Sequence, residues 1–154
     1  MIDDVAVFLA HAVRLEGDAA QTYERLARQM EERANVSVAE LFHKFSGYCR
    51  QHLGEARERA VREAGRVPEL GAEDYRWPDG YSPETAQPGD LQKLTVRGAL
   101  ALALETERRA CDFYAAVAGQ TRSEAVQELA QEFAEEEAEH VEALERWLAR
   151  LDRA

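Results

Sequence analysis

All four prolines of this 154-residue chain, Pro68, Pro78, Pro83 and Pro88, and four of its nine glycines fall between Gly65 and Gly89. Proline lacks a backbone donor and clashes with the preceding helical turn, so that segment reads as irregular while the two long proline-free flanks can be helical. Both flanks carry the helical beat. Apolar residues recur at three- and four-residue steps through Val5, Leu9, Ala12, Ala19, Tyr23, Leu26 and Met30, and again through Leu100, Ala103, Leu104, Cys111, Tyr114 and Val117. The remainder of each flank keeps the same step, with Leu41, Phe45, His52 and Ala56 matching Leu129, Phe133, His140 and Leu144. The spacing predicts four helices, over 3–34, 38–64, 91–118 and 122–150. Ser37 with Glu40, and Thr121 with Glu124, have capping-box spacing, Asp90 precedes the third helix, and Gly65 and Gly119 are expected stops.

Helices of this length extend about 40 Å at about 1.5 Å per residue, which suits an all-α four-helix bundle in which each buries one stripe. The first and second helices, and the third and fourth, are joined by turns short enough to require antiparallel hairpins. The connection over 65–90 can span about 85 Å when extended, enough to return along the whole bundle as a crossover. The chain is therefore expected to be one domain, 1–154, of two antiparallel helical hairpins joined by a long crossover. Tyr75, Trp77 and Tyr81 in that connection are expected to pin it to the bundle or to a second subunit, with a binding surface as the alternative.

A formal charge of −11 disfavours nucleic acid and anionic lipid as partners. The N-terminal "MIDDVAVFLAHAV" lacks the basic start of a signal peptide and no stretch is long enough to span a membrane, so a soluble cytoplasmic protein is expected. Cys49 and Cys111 form neither a disulfide framework nor a CxxC pair, and any electrons the protein uses must come from a separate donor.

The two halves of the chain repeat. With Tyr23 aligned on Tyr114, Glu16 falls on Glu107, each seven residues before its tyrosine; with Phe45 aligned on Phe133, His52 falls on His140. Seven residues are almost two turns, so each glutamate shares the inward stripe of its tyrosine, whose side chain leans back toward it. A glutamate in an apolar stripe needs a partner, and no lysine or arginine lies on these stripes near Glu16 or Glu107; a cation meets the need. In "EEEAEH", Glu137 and His140 stand three apart on the inward face, leaving Glu135, Glu136 and Glu139 to solvent. A lone pair of this kind arises readily by chance in so acidic a chain. Counted from their turns, however, Glu16, Glu107, Glu137 and the two histidines fall within about one to two helical turns of a common height. Tyr23 and Tyr114 are expected to be core aromatics whose hydroxyls orient the carboxylates. His11 and His43 fall off the inward positions and are expected at the surface or between helices, and Trp147 is expected to close the core.

These motifs resemble the rubrerythrin-like branch of the ferritin-like diiron superfamily over nearly the whole chain apart from the crossover. That family carries a single glutamate on its first and third helices and an ExxH on its second and fourth, together holding two irons. The resemblance implies metal ligands at Glu16, His52, Glu107, Glu137 and His140, one or two iron ions as cofactor, and a non-haem oxidoreductase reducing peroxide or dioxygen with an external electron donor. It also departs from the pattern: "CRQH" places Cys49 where the family has a glutamate, commonly one bridging both metals.

Loss of that carboxylate removes a negative charge and a bidentate ligand. A thiolate at Cys49 would restore the charge with a softer donor and tilt the site toward zinc or ferrous iron, whereas a protonated thiol would restore nothing. Three outcomes follow: a modified two-iron site with Cys49 as a ligand, a site with one metal lost or loosely held, or a bundle without redox chemistry in which Cys49 is a small core hydrophobe. Non-catalytic iron or zinc binding or sensing, or a structural bundle, are the corresponding alternatives to an enzyme. Cys111 is expected to pack, with an oxidisable pairing to Cys49 as the alternative. Assembly as a homodimer or higher homo-oligomer is expected.

Overall fold

The two proline-free flanks form four helices, α1 (Val5–Glu32), α2 (Val36–Ala64), α3 (Val96–Gln120) and α4 (Glu124–Arg153), with no strand among the described residues. The computed structural model describes residues 1–86, 88–92 and 94–153; Gln87 of the expected crossover, Lys93 of the expected third helix and the terminal Ala154 lie outside the described residues. Four short oxygen-bearing side chains cap the helix starts. Asp4 accepts from the Val7 amide at 3.0 Å, Asn35 from Val38 at 3.1 Å, Thr95 from Gly98 at 2.9 Å and Ser123 from Val126 at 3.2 Å.

Three of these caps differ from the sequence expectation. Ser37 lies inside the first turn of α2, because the α1–α2 turn closes at Ala34, whose φ of 57° is left-handed, and Asn35 immediately follows. Thr121 donates to Asp3 at 3.0 Å and accepts from the Ser123 amide at 3.1 Å, which moves the start of α4 to Ser123. Asp90 sits in a short 3-10 turn, Pro88–Leu91, rather than before α3. The Gln29 side chain donates to the Leu91 carbonyl and accepts from the Leu94 amide at 3.3 Å, holding that stretch extended against α1 until Thr95 starts the helix. Gly119 continues α3, whereas Gly65 does stop α2, in the left-handed conformation with φ 76°.

Helix α1 packs along α2, and α3 along α4, as two hairpins. Their buried stripes form two apolar clusters. One gathers the C-terminal half of α1 (Tyr23, Leu26, Met30), the start of α2 (Phe42, Phe45), the start of α3 (Leu100, Leu104) and Leu144 of α4. The other gathers the opposite ends, with Phe8 and Leu15 of α1, Ala56 of α2, Phe113 and Tyr114 of α3 and Val126 of α4. The starts of α2 and α3 thus share one end of the bundle, which makes the segment between them a crossover running the full height of the molecule. No helix is long and apolar enough to cross a membrane among the described residues.

The crossover descends along α1. Near its beginning Trp77 joins the second apolar cluster, stacked on Tyr75 with ring centroids 5.3 Å apart. Both rings meet His11 edge-on, at 4.9 and 5.1 Å. His11 is therefore a fully buried anchor, not a surface residue: Nδ1 lies 2.8 Å from the Val7 carbonyl and Nε2 accepts from the Arg76 amide at 2.9 Å. With Nε2 accepting, Nδ1 carries the proton and donates to Val7. Burial holds its pKa below the ordinary imidazole value. His43 is exposed, 2.5 Å from Glu31.

Replacing the two histidines separates these roles. His11→Ala is expected to destabilise the fold by about 2–4 kcal/mol, since it empties a ring-lined site and orphans the Arg76 amide. His43→Ala is expected to change stability by no more than about 0.5 kcal/mol. Urea unfolding of both variants checks the contrast, and equal losses would contradict the anchoring role.

Candidate metal centre

The apolar stripe of every helix breaks at one height. On α1 the break between the two clusters is occupied by Glu16, on α2 by His52, on α3 by Glu107 and on α4 by Glu137 and His140. These residues come from all four helices and form a polar layer across the middle of the core. Glu16, Glu107 and Glu137 are buried to 5, 0 and 3% exposure.

Within the layer, donor atoms of Glu107, Glu137 and His140 lie within 4.8 Å of one another. His140 Nδ1 is 3.6 Å from both Glu107 Oε1 and Glu137 Oε2, too far for a hydrogen bond, and has no other partner. Glu107 Oε2 is likewise unpartnered. On the α2 side, His52 Nδ1 stands 3.8 Å from Glu16 Oε1 and is unpartnered, while Nε2 stands 3.8 Å from Glu136. The two imidazoles are nearly parallel, with centroids 6.0 Å apart and an interplanar angle of 14°. Phe45 stacks on His140 from the apolar side at 5.2 Å and limits its rotation. Glu136, expected in solvent, is half-buried, its carboxylate 3.8 Å from His52 Nε2.

The two tyrosines of the repeat differ. Tyr23 of α1 donates to Glu107 of α3 at 2.5 Å, not to the glutamate of its own helix. Tyr114, its counterpart in the repeat, is fully buried with an unpartnered hydroxyl. Cys49 is buried at 2% exposure in the first apolar cluster, adjoining the layer. Burial, followed by the charges of Glu16, Glu107 and Glu84, pushes its pKa well above the ordinary thiol value. In this state Cys49 is a neutral thiol. Cys111 packs near α4, its Sγ 3.4 Å from the Ala134 carbonyl, and both cysteines are free.

One member of the layer was not identified from sequence. Glu84, in the irregular crossover, is 1% exposed. It belongs to no helical stripe, so periodicity has no purchase on it. The only hint available was the carboxylate lacking at position 49.

Burial raises the pKa of Glu16 to about 8 and those of Glu84 and Glu137 well above the ordinary carboxylate range, assisted by the Glu107 charge. Burial would raise Glu107 as well, but the neighbouring Glu137 carboxyl and His140 ring, together with the Tyr23 hydroxyl that donates to it, hold it below its ordinary value. His140 resists the downward pull of burial because Glu107 favours its protonated form, whereas burial and the His140 charge lower His52. Protons on the carboxyls of Glu16, Glu84 and Glu137 limit the negative charge gathered in the layer. The donor set of carboxylates and imidazoles, with unpartnered atoms on Glu107, His52 and His140, fits a divalent cation. A cleft lined by Glu16, His52, Glu55, Arg59, Glu132 and Glu136 joins the layer to the surface between α2 and α4. Arg59 spans its mouth, bonding both oxygens of Glu132 at 3.1 Å.

The family model described as a ferritin-like domain matches residues 7–154. Among solved structures, the crystal structure of an uncharacterised conserved protein from Magnetospirillum magnetotacticum MS-1 is 34% identical in sequence. It superposes with a TM-score of 0.79 over 96% of this chain and 95% of that one. No curated protein matches.

The protonated carboxyls make a pH prediction for the metal-free protein. Between the ordinary carboxylate value and about 8, folded Glu16 retains a proton that the unfolded chain releases, so stability declines as pH rises through this window. Glu84 and Glu137 act in the same direction, as does His140 above its ordinary value. His52, lowered on folding, opposes them near neutrality, and Glu107, also lowered, contributes only below its ordinary value. Metal-free protein is expected to unfold at lower urea at pH 8 than at pH 5.5, and Glu16→Gln is expected to flatten that slope. A wild-type midpoint that rises over the interval would contradict the buried, protonated layer.

Proposed function

Because this chain belongs to the ferritin-like family, we propose that its polar layer binds one or two iron ions and that the protein reduces peroxide or dioxygen with electrons from a separate donor. The observation that supports this most directly is the buried meeting of Glu107, Glu137 and His140 with donor atoms within 4.8 Å and unpartnered ring and carboxylate atoms facing one another. Such a cluster is unfavourable by several kcal/mol without a cation and becomes a favourable ligand set with one.

In this reading Glu107, Glu137 and His140 hold one ion, while Glu16 and His52 extend the site toward the second. When bound, iron supplies the one-electron redox change and Lewis acidity that no side chain here possesses. The protein's own contributions are positional. Tyr23 fixes the rotamer of Glu107 through its short hydrogen bond, and Phe45 fixes the plane of His140. Protons held on Glu16 and Glu137 leave as a cation arrives, so loading is coupled to proton release and favoured by rising pH. The acidic cleft beside Arg59 attracts cations to the layer and is wide enough only for small molecules, which suits a peroxide-sized substrate.

Cys49 supports a second reading, a zinc- or iron-binding protein without turnover. Its neutral thiol stands where the repeat would have a carboxylate, and coordination of zinc would draw off the thiol proton to give a softer, redox-inactive site.

Ferrous iron supplied anaerobically is expected to bind stoichiometrically, and the loaded protein to consume peroxide with a chemical reductant. Metal binding without peroxide consumption would favour the second reading, and absence of binding would remove both. His140→Ala is expected to weaken metal affinity by at least about 100-fold, and Tyr23→Phe by about 10-fold, while His43→Ala leaves it unchanged. Metal content by elemental analysis after dialysis checks the series; equal losses at His140 and His43 would contradict the assignment.

A further inference from the structure

The repeat leaves the layer unequal. In the register that pairs Phe45 with Phe133 and His52 with His140, α4 contributes Glu137 and His140, whereas α2 contributes Cys49 and His52. The helices alone therefore supply three buried carboxylates, Glu16, Glu107 and Glu137. A fourth, Glu84, arrives from the crossover.

Two side-chain contacts set its height. Thr22 of α1 donates to the Glu84 carbonyl at 3.1 Å, and Thr85 donates to Asp18 of α1 at 3.1 Å. The chain on its N-terminal side is drawn in as well, with Ser82 3% exposed. The Glu84 side chain lies near Thr106 and Glu107 of α3. Thr106 has already donated its hydroxyl to the Ala103 carbonyl at 3.0 Å, and Glu107 is itself an acceptor. Neither Glu84 oxygen has a hydrogen-bond donor.

A loop glutamate could turn to solvent at little loss. This one is held at 1% exposure against another carboxylate, with both oxygens unused. Burial of that kind is tolerable when a cation completes it. We propose that Glu84 is a metal ligand delivered by the crossover, replacing in charge and in donor number the carboxylate that Cys49 does not provide. The inference rests on the metal-binding reading above. The three helical carboxylates supply three negative charges against the four positive charges of two divalent ions, and Glu84 supplies the fourth.

The test compares wild type, Glu84→Gln, Glu84→Gln combined with Cys49→Glu, and the exposed control Glu139→Gln. Anaerobic ferrous iron and cobalt(II) titrations, read by stoichiometry, affinity and the cobalt ligand-field spectrum, need no turnover. Glu84→Gln is expected to lose the weaker-bound equivalent or hold it at least about 10-fold more loosely, with an altered cobalt spectrum. Cys49→Glu in the same chain is expected to recover it, since the carboxylate returns from α2, and Glu139→Gln is expected to match wild type. Metal-free Glu84→Gln should be at least as thermally stable as wild type, because an unpartnered buried carboxyl has been replaced by a neutral isostere. Wild-type affinity, stoichiometry and spectrum in Glu84→Gln would overturn the role of Glu84 and leave the metal reading standing. A metal-free variant less stable than wild type would likewise overturn it, by making Glu84 a structural group. Absence of metal binding in wild type would instead remove the metal reading and this inference together.

Discussion

A layer of desolvated carboxyl groups across the middle of the bundle is the constraint around which everything else is arranged. Each helix gives up its apolar stripe at that height, so the core consists of two clusters separated by Glu16, His52, Glu107, Glu137 and His140. Burying such groups opposes folding, and the two apolar clusters must be extensive enough to offset it. The long helices serve that purpose. With 25 to 30 residues each, they carry about three turns of apolar stripe on either side of the layer.

The repeat explains why the layer is nearly symmetric, and its breaches explain where the chemistry of this chain is particular. Tyr23 reaches across to Glu107, while Tyr114 has no partner although Glu16 is the carboxylate whose charge it feels most among its neighbours. Glu137 has no carboxylate counterpart on α2, where Cys49 sits protonated under the influence of Glu16. The first departure leaves the buried Tyr114 hydroxyl unsatisfied, where a polar group is expensive to leave alone.

The crossover is part of this arrangement and not merely a tether. His11 grips it through Arg76 and through the rings of Tyr75 and Trp77, Thr22 and Asp18 hold its middle, and Gln29 holds its end. These positions follow one another along α1, so a single helix face dictates the path of the segment and thereby the height at which Glu84 enters. Periodicity could not foresee this. His11 stands off the inward stripe defined by Glu16, but the surface it faces is covered by a segment with no periodic signal. The helix starts moved for the same kind of reason: Asn35, Thr95 and Ser123 compete locally with Ser37, Asp90 and Thr121, and the contacts of Gln29 and Asp3 decide among them.

By itself the sequence determined the four helices, their antiparallel pairing, the crossover and the inward placement of Glu16, His52, Glu107, Glu137 and His140. Those features follow from the helical period and the repeat, which are local properties repeated along the chain. Only the tertiary structure decided that Tyr23 serves the opposite hairpin, that His11 is buried, and that Glu84 enters the layer. Those depend on which surfaces meet when a 31-residue connection from Gly65 to Thr95 folds back across α1, and contacts between residues more than sixty positions apart leave no mark on local spacing.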